Sequence, residues 1–365
     1  MEEVRAAATV PWARAVDFAA RAFAAVGVPA DDARRAAEAL VDADGHGTVT
    51  HGLKNLRNYI TAVLAGDINP RPRIRDVGGG AAARVLSADN ALGHVASWAG
   101  MEKAIALARE YGVGTTFVRD SNHYGASGFW ARLALRHNMV GFAFTSALAT
   151  MAPWGARERL VGNNPPAWAI PTRVISPAEP LPPHEADSVF LDIALSVVAG
   201  NRLDIYRRRG EPIPEGWALD RDGEPTTDPH APRQGGTFRP MAEYKGSGMA
   251  IVLGMMSCFL SGAPFDDQRL KPGGGQIYGT CSHWFAAYDV AQFTDPAQFT
   301  AEVRDVRGRI HKTTPRVGVD TVFAPGDIEN ERARRYWTEG IPLEQFTLDE
   351  LAWVAERTGI ALDLV

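Results

Sequence analysis

The stretch VGTTFVRDSNHYGASGFWARLALRHN, Val113–Asn138, runs from a strand through a polar junction into a helix. VGTTFV is apolar and rich in β-branched residues, which suits a strand, and GASGFWARLALRHN repeats its apolar residues at helical spacing. Between them stands His123, ringed by Ser121, Asn122, Gly125 and Gly128. The end of a strand that leads into a helix is where α/β folds put ligand sites. Histidine titrates near neutral pH, so it can give and take a proton there, and the glycines let a backbone come close to a ligand. The competing reading is a histidine that merely opens a helix.

Working outward, MVGFAFTSA (139–147), PAWAIP (166–171), SVFLDIALS (188–196) and HWFAAYDVAQF (283–293) read as further strands. ARVLSADNALG (83–93) reads as a short strand and turn. INPRPRIRDVGGG (68–80), the Pro-rich ISPAEPLPPHEADS (175–188) and GEPIPEGWALDRDGEPTTDP (210–229) read as loops. Helices are expected at Trp12–Val26, at Ala30–Ala43 with Asp31 and Asp32 in its first turn, and through Leu53, Leu56, Ile60, Val63 and Leu64 up to Gly66. Others are expected at His94–Tyr111, at the apolar Gly246–Gly262, over 295–311, and at the amphipathic end of 341–360. The fold class is therefore α/β, with helical ends around a sheet-rich middle. Residues 1–75 and 310–365 are expected to build one helical lobe, and 76–309 a sheet-containing one.

The 365 residues are 45% hydrophobic and 22% charged, with a net charge of −5 and no long run of one sign. That argues against nucleic acid and against an anionic membrane surface as partners. No apolar stretch has the length of a membrane span, the first residues do not read as a signal peptide, and Cys258 and Cys281 show neither a disulfide framework nor metal-ligand spacing. A cytoplasmic protein without a metal site is the expectation. There is no GxGxxG fingerprint, P-loop, GxSxG or HExxH; GGG at 78–80 and GGGQ at 273–276 read as loop glycines.

Three more places carry polar residues with a possible task. In THG (50–52) a helix is expected to begin, with His51, Asn55 and Asn58 on one face and Lys54 on its flank. Arg57 falls roughly 240° away from His51 at 100° per residue. In EYKGSGM (243–249) Lys245 stands just before a helix N-terminus, a setting for an anion. Asp192 closes an apolar run, where a carboxylate suits a ribose hydroxyl or an imidazole. A solvated polar face, a solvated lysine and a turn acid are the respective alternatives.

The motifs THGL (50–53), SNHYGASG (121–128), APWG (152–155), GNNPPAWAIP (162–171), LDIALSVVAG (191–200), GWALDRDGEPTTDP (216–229), YKGSGMAIVL (244–253), LSGAPF (260–265) and APGD (324–327) occur in this order. The series resembles the type-2 malate/L-lactate dehydrogenase family over about residues 10–360. That family also includes ureidoglycolate and sulfolactate dehydrogenases and Δ1-piperideine-2-carboxylate reductases. The resemblance implies an NAD(P)-dependent oxidoreductase with a non-Rossmann, mostly antiparallel cofactor-binding sheet, flanking helical domains and a homodimer. It gives His123 the proton transfer and makes His51 a second active-site histidine, with Lys54, Asn55 and Tyr59 on the substrate side. Thr145, Ser146, Asp192, Ile193 and Ala194 would follow the nicotinamide, and Lys245 a phosphate. Arg173 would lie near the adenosine ribose, which favours NADPH over NADH.

One position departs from the family's pattern. Many members carry an arginine four residues after the first histidine, where it clamps a substrate carboxylate; here that position is Asn55. The leading expectation is a dehydrogenase or reductase of 2-oxo/2-hydroxy acids. Asn55 keeps open a larger acid held by other groups, a less charged ketone, or a cyclic imino acid reduced with NADPH. A non-catalytic cofactor-binding relative is the third reading, opposed by the joint presence of His51, His123, Lys245 and Asp192.

Overall fold

The computed structural model describes residues 6–176, 187–271 and 275–364. Most of the Pro-rich 175–188 segment and part of GGGQ at 273–276 lie outside them. The chain begins with β1 (Ala8–Val10), α1 (Trp12–Ala25) and α2 (Ala30–Gly45), and reaches α3 (Leu56–Leu64) through two 3-10 turns, Val49–His51 and Leu53–Asn55. Next come β2 (Arg75–Gly79), β3 (Ala83–Ser87), α4 (Gly93–Tyr111), β4 (Val113–Ser121), α5 (Ser127–Leu133), β5 (Met139–Thr145), β6 (Pro166–Pro171) and β7 (Ser188–Asp192). Then follow α6 (Gly200–Arg209), the short β8 (Ala218–Leu219), β9 (Pro225–Thr226) and β10 (Thr237–Phe238), and α7 (Tyr244–Ser261). The last elements are β11 (Cys281–Asp289), α8 (Pro296–His311), α9 (Asp327–Glu339), β12 (Ile341–Leu343) and α10 (Gln345–Thr358).

Seven strands form the main sheet in the order β2-β3-β4-β11-β5-β6-β7. Only β3 and β4 run parallel; every other neighbouring pair is antiparallel. A mostly antiparallel sheet of this kind is not a doubly wound dinucleotide fold, as expected from the sequence. Alternation along β11 sends Phe285 toward α4, where it meets Gly100, while Trp284 and Ala286 join a cluster that includes Leu253 of α7. The sheet thus lies between α4 and α7. Gly114 makes the first contact possible: a Cβ there would stand 2.0 Å from the Ala104 carbonyl oxygen, so strand and helix touch backbone to backbone.

At the other side of the core, alanines on α1 and α2 (Ala15, Ala19, Ala22, Ala36, Ala37) are buried and let the two helices pack closely with Phe18, Phe23 and Leu40. The two ends of the chain meet here. β1 pairs antiparallel with β12, and α10 packs on α3 and on the Leu53–Asn55 turn.

Several expectations need correction. Arg75–Gly79 is an edge strand, not loop; it is mostly exposed and held by main-chain pairing and by the Asp76–Arg84 ion pair, so no apolar alternation marks it. The α-helix expected from Leu53 starts at Leu56, and His51 sits in a separate 3-10 turn, so the 100° count does not carry from His51 onward. α7 begins at Tyr244, which puts Lys245 inside its first turn rather than before it. α6 and α9 stand where no helix is expected: both are dominated by charged residues.

One end of the sheet gathers the C-termini of β3, β4, β5 and β7 and the N-termini of β6 and β11. Ser121, Thr145, Pro166, Asp192 and Cys281 all lie at this end, and His123 follows directly.

Candidate active site

His123 is carried by a loop with little freedom. Asn122 donates to the Asn90 side-chain oxygen (2.9 Å) and the Ala91 carbonyl (2.8 Å), and accepts from the Gly279 amide (2.9 Å). Tyr124 turns inward, stacks on His283 with ring centroids 4.8 Å apart, and pairs its hydroxyl with Ser127 (2.6 Å). Gly125, at φ +82°, makes the turn between them and α5. With both neighbours buried, His123 points outward and is exposed to solvent. It does not cap α5. The amide of Gly128 in that first turn goes instead to the Asp192 carboxylate (2.7 Å).

The His123 Nδ1 atom is 2.5 Å from the Tyr59 hydroxyl of α3. His51 lies parallel to His123 at 5.6 Å, its own Nδ1 2.9 Å from Thr50 Oγ1. His94, in the first turn of α4, stands edge-to-face with Tyr59 at 4.8 Å. It is completely buried, and neither ring nitrogen has a partner. The Val49–His51 turn, α3 and the start of α4 therefore meet around one exposed imidazole.

A second, buried layer supports the first. His283 links Ser121 (2.7 Å) to Thr145 (2.8 Å) through its two ring nitrogens. Ser146 accepts from the Ser282 amide (3.0 Å) and from Arg269 (3.0 Å), and Arg269 also reaches the Cys281 sulfur (2.6 Å). The Thr145 and Ser146 hydroxyls are thus engaged within the protein.

Burial depresses the proton affinity of the whole cluster. His51, His94 and His283 are each lowered to about 3, and His123 to about 4, there with the added charge of Arg269. Protein surrounds His123 on most sides, yet water reaches its ring. Burial also raises the Tyr59 phenol, which stays protonated, and brings Asp192 up to about 6. At neutral pH the four imidazoles are uncharged.

The remaining candidates fall in different places. Asn55 shares the turn with His51, but its amide hydrogens go to the Thr50 (3.0 Å) and Gly52 (3.3 Å) carbonyls. Lys54 is half-buried, its ammonium destabilised first by burial and then by the charge of Arg208. Arg57 faces away, bonded to Glu350 (3.2 Å) and lying 4.4 Å over Trp353. Ile193 and Ala194 are half-buried past the end of β7, beside Asp192. Lys245 is exposed near Tyr244, on a helix tied to the APWG segment by Ser247, which accepts from the Trp154 amide (2.9 Å). Arg173 lies beyond the opposite end of β6, on the Asn138 side, away from Thr145 and Ser146.

A family model described as malate/L-lactate dehydrogenase matches residues 10–352. The chain belongs to the malate/L-lactate dehydrogenase family. It is 31% identical over 358 residues to a malate dehydrogenase of Pyrococcus abyssi, covering 96% of this chain and 95% of that one. It is 35% identical over 281 residues to a (2R)-3-sulfolactate dehydrogenase (NADP(+)) of Chromohalobacter salexigens, covering 76% and 80%. The crystal structure of a malate dehydrogenase from Entamoeba histolytica superposes with a TM-score of 0.89 at 26% identity, covering 98% and 99%. As a member of the malate/L-lactate dehydrogenase family, the chain is an oxidoreductase. Arg269 and His94 carry no functional signal in the sequence alone. His283 opens the apolar run of β11, where a buried polar residue is a visible anomaly, but DDQRL around Arg269 looks like any solvated turn.

Proposed function

We propose that this oxidoreductase moves a hydride between a nicotinamide cofactor and C2 of a 2-oxo/2-hydroxy acid, with His123 as the proton donor and acceptor. The Tyr59–His123 contact carries the reading. In the tautomer with hydrogen on Nδ1, the ring donates to the Tyr59 oxygen and leaves its Nε2 lone pair for a ligand that meets this exposed side chain. That nitrogen takes the C2 hydroxyl proton in oxidation and returns it to the C2 oxygen in reduction. The neutral His51, stacked on His123, keeps the ring plane fixed and can offer a hydrogen bond to the substrate oxygen.

The cofactor supplies the hydride acceptor or donor. The chain's own groups suit such a ligand. α7 starts without a side-chain cap, after two left-handed non-glycine residues, Ala242 (φ 48°) and Glu243 (φ 59°). Such backbone is held only where the surroundings enforce it. With Lys245 in the first turn, this end of α7 offers the amide and ammonium donors a phosphate needs. We propose NADPH as the preferred form; the NADP(+) relative supports this better than Arg173, which stands at the far end of β6.

We further read the protein as a homodimer that buries the outer face of α7. Val252, Phe259 and Leu260 there are 55%, 61% and 54% exposed, flanked by Met249, Met255 and Met256. A continuous apolar face on one helix is the kind of surface that a subunit covers.

The test is nicotinamide absorbance with purified protein, NADPH or NADH, and a panel of 2-oxo and 2-hydroxy acids and cyclic imines, repeated with His123→Ala. Turnover of a 2-hydroxy or 2-oxo acid, abolished in the variant, is the expected result. Turnover that survives in His123→Ala sinks the proton-transfer role.

A further inference from the structure

Arg269 ends the 3-10 turn Asp266–Arg269 that follows α7, and it is 2% exposed. Its hydrogens reach Ser146 Oγ, Cys281 Sγ and, at 3.4 Å, Thr280 Oγ1. The two hydroxyls are neutral acceptors, and burial pushes the Cys281 thiol away from ionising. No carboxylate comes within salt-bridge distance of Arg269 among the described residues. The acid of its own turn, Asp266, uses one oxygen on the Gly162 amide (2.8 Å) and Asn164 (2.7 Å), and leaves the other buried and unpartnered. Asp266 feels the charge of Arg269 without touching it, so the guanidinium is removed from water with a nearby carboxylate but no anion bonded to it, which is unfavourable. A fold retains such a charge where an anion arrives later.

The place of Arg269 says which anion. Ser146 and Cys281 bring it to the end of the sheet from which His123 projects, and Cys281 is paired with Ser121 in the β4–β11 ladder. The other cations near the cleft are less suited. Arg57 is held by Glu350, and Lys54 shares its surroundings with Asp44, Glu344 and a second cation, Arg208. Asn55 has no charge to offer.

We propose that Arg269 is a positioning residue for the proton step, a buried cation that fixes the Ser146–Cys281 end of the sheet beside His123 and whose counter-ion is the carboxylate of the bound substrate. This rests on the reading of the cleft as a 2-oxo/2-hydroxy acid site. The groups around His123 are His51 from the 3-10 turn, Tyr59 from α3, His94 from α4, and His283 and Cys281 from β11. All of these are uncharged at neutral pH. Arg269, and Lys54 beyond His51, supply the positive field. In the free enzyme burial first, and then that field, keep His123 a base. An anion bound in the cleft offsets the field, so His123 gains proton affinity as substrate enters, and a proton is taken up with it.

Wild type is first assayed for oxidation of a 2-hydroxy acid; no turnover at any pH sinks the parent reading alone. With turnover established, kcat/KM against pH is compared for wild type, Arg269→Gln and Arg269→Lys. Cofactor binding by fluorescence serves as the check on folding. Loss of the charge should move the acidic limb upward by about one pH unit and weaken oxalate, a non-reacting anion, by at least ~10-fold; the lysine variant should restore much of both. An unmoved limb with unchanged oxalate affinity in a folded Arg269→Gln protein overturns the proposal. Where that variant does not fold, calorimetry of oxalate binding to cofactor-saturated wild type, at about pH 5, close to the His123 value of about 4, and in two buffers of different ionisation enthalpy, decides. Proton uptake supports the proposal and its absence overturns it.

Discussion

Tyr59→Phe removes a single oxygen from the site. Tyr59 is 5% exposed and packed against Phe23 and His94, so phenylalanine fills the same space and the fold should hold. What is lost is the acceptor 2.5 Å from His123 Nδ1. In the neutral ring that bond fixes the tautomer; in the protonated ring, formed as the C2 hydroxyl gives up its proton, it becomes a bond to a charged group. Such bonds contribute about 1.5–3 kcal/mol, which is roughly 10- to 150-fold in rate. The loss should fall mainly on kcat, because the bond strengthens as charge develops on the ring, and KM should change little. Stacking on His51 retains the ring plane, so the variant should stay well above the activity of His123→Ala. Steady-state kinetics of 2-hydroxy acid oxidation, with Tm as the control, measures this. Activity within threefold of wild type, with an unaltered pH profile, would refute the reasoning that Tyr59 orients His123.

Three further outcomes are expected. His94→Phe should leave neutral-pH stability unchanged or higher, because both ring nitrogens are buried without partners. The folded pKa of His94, about 3, lies below the unfolded value of ~6.5, so the unfolded chain binds the extra proton between them. Wild type then loses up to about 1.4 kcal/mol per pH unit from this group on acidification below pH ~6.5. The variant should lack that slope in Tm scans, and parallel curves would count against it. Arg57→Ala should lower stability by about 1 kcal/mol through loss of the Glu350 and Trp353 contacts, with KM unchanged; a large rise in KM would show that Arg57 reaches substrate. Phe259→Glu should give monomers by light scattering, and a persistent dimer would remove α7 from the interface.

The sequence marks those elements that bury a periodic face. α1, α2, α4 and the inner strands β4, β5 and β11 are readable because each has a side toward the core. β2 is not, since an edge strand of Arg, Asp, Val and glycines is held by main-chain pairing and surface ion pairs and buries no face. The β1–β12 pair is three residues against three across the length of the chain, with no local signal at all. At the site, His123 is legible because a strand end, a titratable ring and two glycines converge on one junction, and the motif series adds His51 and Tyr59. The count around an expected helix correctly turns Arg57 away from His51 even though His51 lies outside that helix. It reaches the right result because Arg57 is fixed by α10, a partner the count does not include. Arg269 and His94 become visible only in three dimensions, since what singles them out is a missing partner.

The wall of the cleft that carries His51 and Tyr59 is braced by α10, and Arg57 and Glu350, which join them, are 293 positions apart. A nascent chain can finish its central sheet, including Thr145 and Cys281, while this wall still lacks its brace. Closing so long a loop is slow and entropically unfavourable, so this wall should set late in folding and be the first part to loosen under denaturant. Inactivation is then expected to run ahead of unfolding: in mild urea, turnover disappears while the tryptophans of the sheet, Trp168 and Trp284, still report a native core.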